Sequence, residues 1–272
     1  MKFPIGAMSV GDILDRGQKL LFARFPVLFF AALLIQLPLI ALQLVVPYIT
    51  PSNAAGVVLL TFGVLVLYML ILTPIVRAIS LRVVMQEYVD QPVTFGEAFS
   101  SSLARFGPLL GSVILYGVLV FLSFFACVIP SIYLSIAWAF VAQVVVLEGL
   151  GGMDALNRSK QLVAGHWWRV FGVLFLIGVV TAVISNLVQY AVGAALPPYD
   201  QVPGPFGRPI ITNFRFGNYA VGILAMQIAQ VFFAAYSAVC VTLLYLDLRI
   251  RKEGFDLEIE AQKQAAPAAE LP

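Results

Sequence analysis

Few side chains in this sequence are equipped for chemistry, and most of those are carboxamides set among apolar neighbours. Gln36 and Gln43, Asn186 and Gln189, and Gln227 and Gln230 all fall inside long apolar stretches. The last two pairs are spaced three apart, so on a helix each pair shares a face. A carboxamide both donates and accepts hydrogen bonds, which suits it to a polar pocket or to bonding between helices. Gln36, Asn186, Gln189, Gln227 and Gln230 therefore form a candidate polar pocket. The other reading is interhelical bonding, worth about 0.6 to 2 kcal/mol per contact.

The single histidine, His166, stands in Gly165-His166-Trp167-Trp168-Arg169. One imidazole with no carboxylates clustered around it cannot assemble a metal site. Beside two tryptophans it reads instead as part of an interfacial anchor made of His166, Trp167, Trp168 and Arg169. There is no Gly-x-Ser-x-Gly elbow and no Cys-x-x-Cys pair, and Gly149 to Gly152 lacks the Lys-Ser/Thr of a phosphate loop. The expectation is a non-enzymatic chain with no catalytic residue, no metal and no cofactor. Near the C-terminus, Arg249, Arg251 and Lys252 form a basic cluster suited to anionic lipid headgroups or to a cytoplasmic partner. Simple retention of positive charge on the cytoplasmic side already explains the cluster and is the favoured reading.

The elements that position these residues follow from composition. Hydrophobic residues make up 61% and charged residues 11% of the 272-residue chain, against about 45–50% and 25% in soluble domains. About 20 apolar residues cross a bilayer core. Six stretches qualify: Phe25–Val46, Ala54–Val76, Phe106–Val128, Ser131–Leu147, Val170–Leu196 and Tyr219–Leu246. Lys2, Arg16, Lys19, Arg24, Arg77, Arg82, Arg105, Arg158, Lys160, Arg169, Arg249, Arg251, Lys252 and Lys263 all fall on one side of these stretches, and only Arg208 and Arg215 on the other. Basic residues near span ends stay inside, which places both termini in the cytoplasm of a bacterial inner membrane. The first apolar run is long enough to span, and no cleavable signal peptide is expected. No ionisable side chain is expected at mid-depth, which argues against proton relays and ion coupling. With a net charge of only +2, no nucleic-acid partner is expected. Tyr48, Tyr68, Trp138, Trp167, Trp168 and Tyr245 are expected near span ends. Cys127 and Cys240 belong at opposite ends of their spans, too far apart for a disulfide.

The cytoplasmic segments share a pattern. Ser9-Val10-Gly11-Asp12 and Thr94-Phe95-Gly96-Glu97 both fit a capping box, and a weaker version begins near Met153. Each introduces an amphipathic segment, over about 9–24, 94–106 and 153–168, that leads directly into a span. The predicted fold is thus an all-α integral membrane bundle over 1–246. It comprises six transmembrane helices arranged as three amphipathic-helix-plus-hairpin units. Residues 247–272 would form a cytoplasmic tail, disordered after about 261. Pro197 to Gly217 is expected to be an irregular outer loop.

Two stretches carry a resemblance. Ser159 to Gly172 (SKQLVAGHWWRVFG) and Tyr245 to Asp256 (YLDLRIRKEGFD) resemble segments of the bacterial glycerophosphoryl diester phosphodiesterase membrane domain family. The resemblance implies an all-α membrane module. The catalytic barrel joined to some members uses paired histidines, carboxylates and a metal. This chain has one histidine and no length left for a barrel, so no catalytic residue carries over. The reading that results is a membrane scaffold or accessory subunit in envelope or lipid processes, with membrane lipids and a cytoplasmic or membrane protein as partners. A carrier for a lipid or small apolar solute, lined by the carboxamides, is the alternative.

Overall fold

The computed structural model describes residues 6–49, 54–68, 73–88, 96, 106–203, 209–255 and 257. In hydrocarbon every backbone donor and acceptor must be satisfied within the chain, so long apolar stretches become helices. The first helix, α1 (Val10–Ala23), is amphipathic: Ile13, Gly17, Leu20 and Leu21 are buried along one face. Its predicted capping box is present. Asp12 N donates to Ser9 Oγ at 3.1 Å and Ser9 N donates to Asp12 Oδ2 at 2.8 Å. The second box, at Thr94–Glu97, lies outside the described residues apart from Gly96. After Arg24 the chain turns by 88° into the apolar helix that follows, α2 (Phe25–Ile49).

Helices α3 (Ala54–Leu67) and α4 (Thr73–Tyr88) follow. Helix α4 runs past Val76 and carries Arg77 and Arg82 within it. The next hairpin is α5 (Phe106–Ala126) and α6 (Val128–Ala137), continued past a short break by α7 (Val141–Glu148). Buried Ser159 staples that break, donating to Ala137 O at 3.0 Å and accepting from Phe140 N at 3.2 Å. Ser159 belongs to α8 (Gly152–Val163), whose N-cap Gly151 offers no side chain. Gly165, at φ +80°, turns the chain into α9 (Trp167–Ala195).

The outer segment is ordered. Strands β1 (Tyr199–Pro203) and β2 (Pro209–Phe214) pair antiparallel, with Asp200 opposite Thr212 and Val202 opposite Ile210. The expected irregular loop is corrected to a hairpin, pinned by an Arg215–Asp200 ion pair at 2.7 Å and by Tyr199 against Phe214. The last helix, α10 (Phe216–Glu253), runs for 38 residues and does not stop at Leu246. At about 1.5 Å per residue it is nearly twice as long as a ~30 Å hydrocarbon core.

Four helical stretches are long and apolar enough to cross a membrane: Phe106–Phe125, Val128–Glu148, Trp167–Ala195 and Phe216–Glu253. The bent α1–α2 pair is a fifth if counted as one span. Phe121, Phe125 and Ile129 on the α5–α6 hairpin, and Phe175, Leu187 and Tyr190 on α9, are exposed in the manner of lipid-facing side chains. At the heart of the fold is α10, packed by α1, α2, α4, α8 and α9. From Ala238 to Leu248 it is buried on every face. Both cysteines are free, Cys127 exposed and Cys240 buried.

The closest approach in this core is between α1 and α10. A Cβ on Gly17 would lie 2.5 Å from Cys240 Sγ and 3.5 Å from the Tyr236 ring. Gly17→Ala should therefore destabilise the bundle by about 1–3 kcal/mol through overpacking. Thermal unfolding in mild detergent should show a lowered midpoint, with much of the loss recovered by adding Cys240→Ala. An unchanged midpoint in Gly17→Ala would remove the close approach as a constraint.

Candidate functional site

Asp247 is a carboxylate with no exposed surface, less than two turns before the end of α10 on a mostly apolar buried stretch. Burying a charge is costly unless it is paired and hydrogen-bonded. Here it is both. Arg169, at the start of α9, donates to Asp247 Oδ2 from Nε at 3.1 Å and from Nη2 at 2.8 Å. Arg251, one turn further along α10, donates to Oδ1 at 3.0 Å and to Oδ2 at 3.1 Å. Met8 N completes the set at 2.7 Å on Oδ1, and both arginines return a hydrogen bond to Met8 O. One carboxylate thus clasps the entry to α1, the base of α9 and the last turns of α10.

A second network lies beside it. Glu148, ending α7, accepts from Arg158 at 2.6 Å and from the Tyr245 hydroxyl at 2.7 Å. Arg158 also reaches Glu253 at 2.6 Å, and Glu253 pairs with Arg249 at 3.0 Å. The Arg249 guanidinium sits 3.8 Å over the Phe255 ring. Lys252 donates to the carbonyls of Gln161 and Ala164, neutralising the C-terminal end of α8. Arg249, Arg251 and Lys252 of the basic cluster therefore each bond within the protein. Arg169 likewise leaves the predicted anchor and joins the clasp. What remains of the anchor is aromatic: Trp168 is 77% exposed, and Trp167 stacks between Tyr133 and Phe171. His166 occupies the N-cap position of α9 without a side-chain cap bond. Tyr245 is buried within the protein.

Burial pushes the Glu253 carboxyl up, but hydrogen bonds from Arg249 and Arg158 outweigh it and hold the group below its ordinary value. For Arg158 burial acts downward, and the two carboxylates Glu148 and Glu253 outweigh it to give a raised value. Asp12 is lowered by the Ser9 backbone and side-chain bonds.

The predicted polar pocket is partly assembled. Asn186 and Gln189 of α9 and Gln230 of α10 line one groove with Tyr68, Thr181, Ser185 and Ser237, of about 440 Å³. Gln36 is buried within reach of the Tyr68 hydroxyl. Gln227 is not in the groove lining; it is buried, and its Nε2 has no partner among the described residues. Gln189 also lines a second hollow of about 330 Å³, with Gln43, Asn218 and Tyr219, running up to the β-hairpin. Asn186 spends one donor on Ala182 O at 2.7 Å, one turn back on its own helix.

Two polar residues of the interior escape sequence reasoning. Gln143 of α7 is fully buried with neither side-chain polar atom partnered among the described residues. Arg77, expected where the helix of the second stretch continues into the cytoplasm, lies five residues into α4 and lines a cavity. Among the described residues no group of three or more His, Cys, Asp or Glu is placed to hold a metal ion.

Residues 98–201, well under half of the chain, match the model of a domain of unknown function, DUF8558. The match covers the α5–α9 region, including His166 to Arg169, and stops before the Asp247 clasp. No curated protein and no solved structure matches the chain.

Removing the anion of the clasp leaves two guanidiniums facing each other, so Asp247→Asn should cost about 3 kcal/mol. This is the lower end for a broken buried pair, since both arginines keep some solvent. A thermal midpoint within a degree of the parent would show that the clasp contributes little. Glu253 and Asp12, lowered in the folded state, stabilise the fold above their unfolded values near about 4. That contribution disappears as pH falls through the folded values. The melting midpoint should decline on acidification below about pH 4.5, and Glu253→Gln should flatten part of that decline.

Proposed function

We propose that the chain is a non-enzymatic, six-span scaffold or accessory subunit of a bacterial inner membrane. In this reading both termini are cytoplasmic and the fold is built from three units of amphipathic helix plus hairpin. The Asp247 clasp is the observation that favours it. Met8, Arg169 and Arg251 converge on one fully buried carboxylate, and such an arrangement suits a platform whose cytoplasmic end keeps one geometry. Bonded side chains fill the region where a carrier would have to open. The capped α1 and the α8-to-α9 junction agree with the first and third units. The resemblance of Ser159–Gly172 and Tyr245–Asp256 to the glycerophosphoryl diester phosphodiesterase membrane domain family agrees with a membrane module lacking its own catalytic centre. Its partners would be membrane lipids and a protein of the membrane or cytoplasm.

The α9–α10 groove favours a second reading, a carrier for a lipid or small apolar solute. Asn186, Gln189 and Gln230 give an exposed polar lining between two apolar helices, and polar groups facing hydrocarbon call for a partner. The readings differ in how many conformations the helices adopt. Tyr190 and Leu224, both exposed on the outer halves of α9 and α10, can be replaced by cysteine in a Cys127→Ser background and spin-labelled. The scaffold predicts a single narrow distance distribution that short-chain lipid does not alter. Two populations whose ratio responds to that lipid would overturn it in favour of the carrier.

A further inference from the structure

The cavity at Arg77 is a different kind of place. Its volume is about 290 Å³, and Thr73, Pro74 and Arg77 of α4 face Val113, Tyr116 and Gly117 of α5 across it. Trp138 and Ala139 at the α6–α7 break close one side, with Val141 and Ala142 of α7. The walls are mostly apolar, yet they hold a guanidinium. Among the described residues no carboxylate and no hydrogen-bond acceptor meets Arg77. The nearest acid along its own helix, Glu87, lies ten residues on, about 15 Å away, and is paired to Arg24 at 2.7 Å. A second donor is also idle. Trp138 Nε1 is buried without a partner among the described residues, and the indole packs edge-on against Tyr116 with ring centroids 6.3 Å apart.

An arginine cannot shed its proton, and an indole N–H can only donate. Both groups therefore ask for the same thing: an acceptor, and one carrying negative charge. Water would serve Trp138 but leave the charge of Arg77 uncompensated among apolar walls. A planar guanidinium matches the two oxygens of a phosphate or carboxylate. Pro74, Val113, Ala139, Val141 and Ala142 would cover the ligand beyond that head. We propose that this cavity binds the oxyanion head of an amphiphile, a phosphate or carboxylate on an apolar tail, held by Arg77 and Trp138 with the Tyr116 hydroxyl alongside. The site is separate from the carboxamide groove and stands whether the protein is a scaffold or a carrier.

Trp138 is itself the reporter. With Trp167→Phe and Trp168→Phe, the fluorescence of the purified, delipidated full chain reads the cavity alone, because the sequence has three tryptophans. Four probes are titrated: dihexanoyl phosphatidylglycerol, decanoate, inorganic phosphate and uncharged dioctanoylglycerol. Saturable quenching or shift by phosphatidylglycerol or decanoate is expected, and the tighter of the two identifies the head as phosphate or carboxylate. Arg77→Gln should weaken that binding at least tenfold, with Arg77→Lys in between. Should Arg77→Gln fail to fold, Val113→Phe, which fills the cavity without touching its charge, should abolish the response. Equal affinity for dioctanoylglycerol, or undiminished binding in a folded Arg77→Gln, overturns the site. Binding of inorganic phosphate with no gain from an apolar tail overturns the amphiphile assignment.

Discussion

A charge placed where water cannot reach it must be answered locally, and in this protein the answer to Asp247 organises one whole end of the molecule. The carboxylate is surrounded by two guanidiniums and one backbone N–H. Each donor comes from a different part of the chain: residue 8, residue 169 and residue 251. Hydrophobic packing alone would let α1, α9 and α10 slide against each other, since apolar contacts carry no direction. Five directed bonds to one carboxylate fix their register. The neighbouring Glu148–Arg158–Glu253–Arg249 chain extends the same logic to α7 and α8, and Lys252 closes the C-terminal end of α8. Polar groups in such a network support one another only while all are satisfied.

The opposite end is organised differently. There Asn186 and Gln189 of α9 and Gln230 of α10 line a groove and are exposed, and Asn186 bonds within its own helix. The hairpin β1–β2 sits between the two helices in the chain, and Tyr219 bonds to Gln43 O at 2.8 Å to tie α10 to α2. The two helices are thus held by ion pairs at one end and lined by carboxamides from their middle onward. That contrast is why the two functional readings rest on different ends of the same pair of helices.

Local features were readable from sequence to the extent that their causes are local. The Ser9–Asp12 box needs only residues three apart, and it is there. The apolar stretches announce helices because the physics of a bilayer leaves no other option. Asn186, Gln189 and Gln230 were legible as one lining because spacing along helices fixes their faces, whereas Gln227 turns into the core through packing that no spacing reveals. The cavity beside Arg77 was hidden because its other walls come from α5, α6 and α7. Gln143 was overlooked because it sits alone in a run of valines and alanines. The tail bases looked like a topological signal because the distant partners of Arg251 and Lys252, Met8 and Gln161, lie 243 and 91 positions away in sequence. The hairpin at Tyr199 was hidden by prolines and glycines that also suit irregular loops.

The bond between Met8 and Asp247 spans 239 positions. On a ribosome adding about 5–20 residues per second, the first of these is made roughly 10 to 50 s before the second. Throughout that interval α1 has its cap but no carboxylate to receive Met8, and Arg169 emerges to wait as well. The entry to the first helix is consequently among the last parts of the protein to be seated, so the order of synthesis and the order of completion run opposite ways.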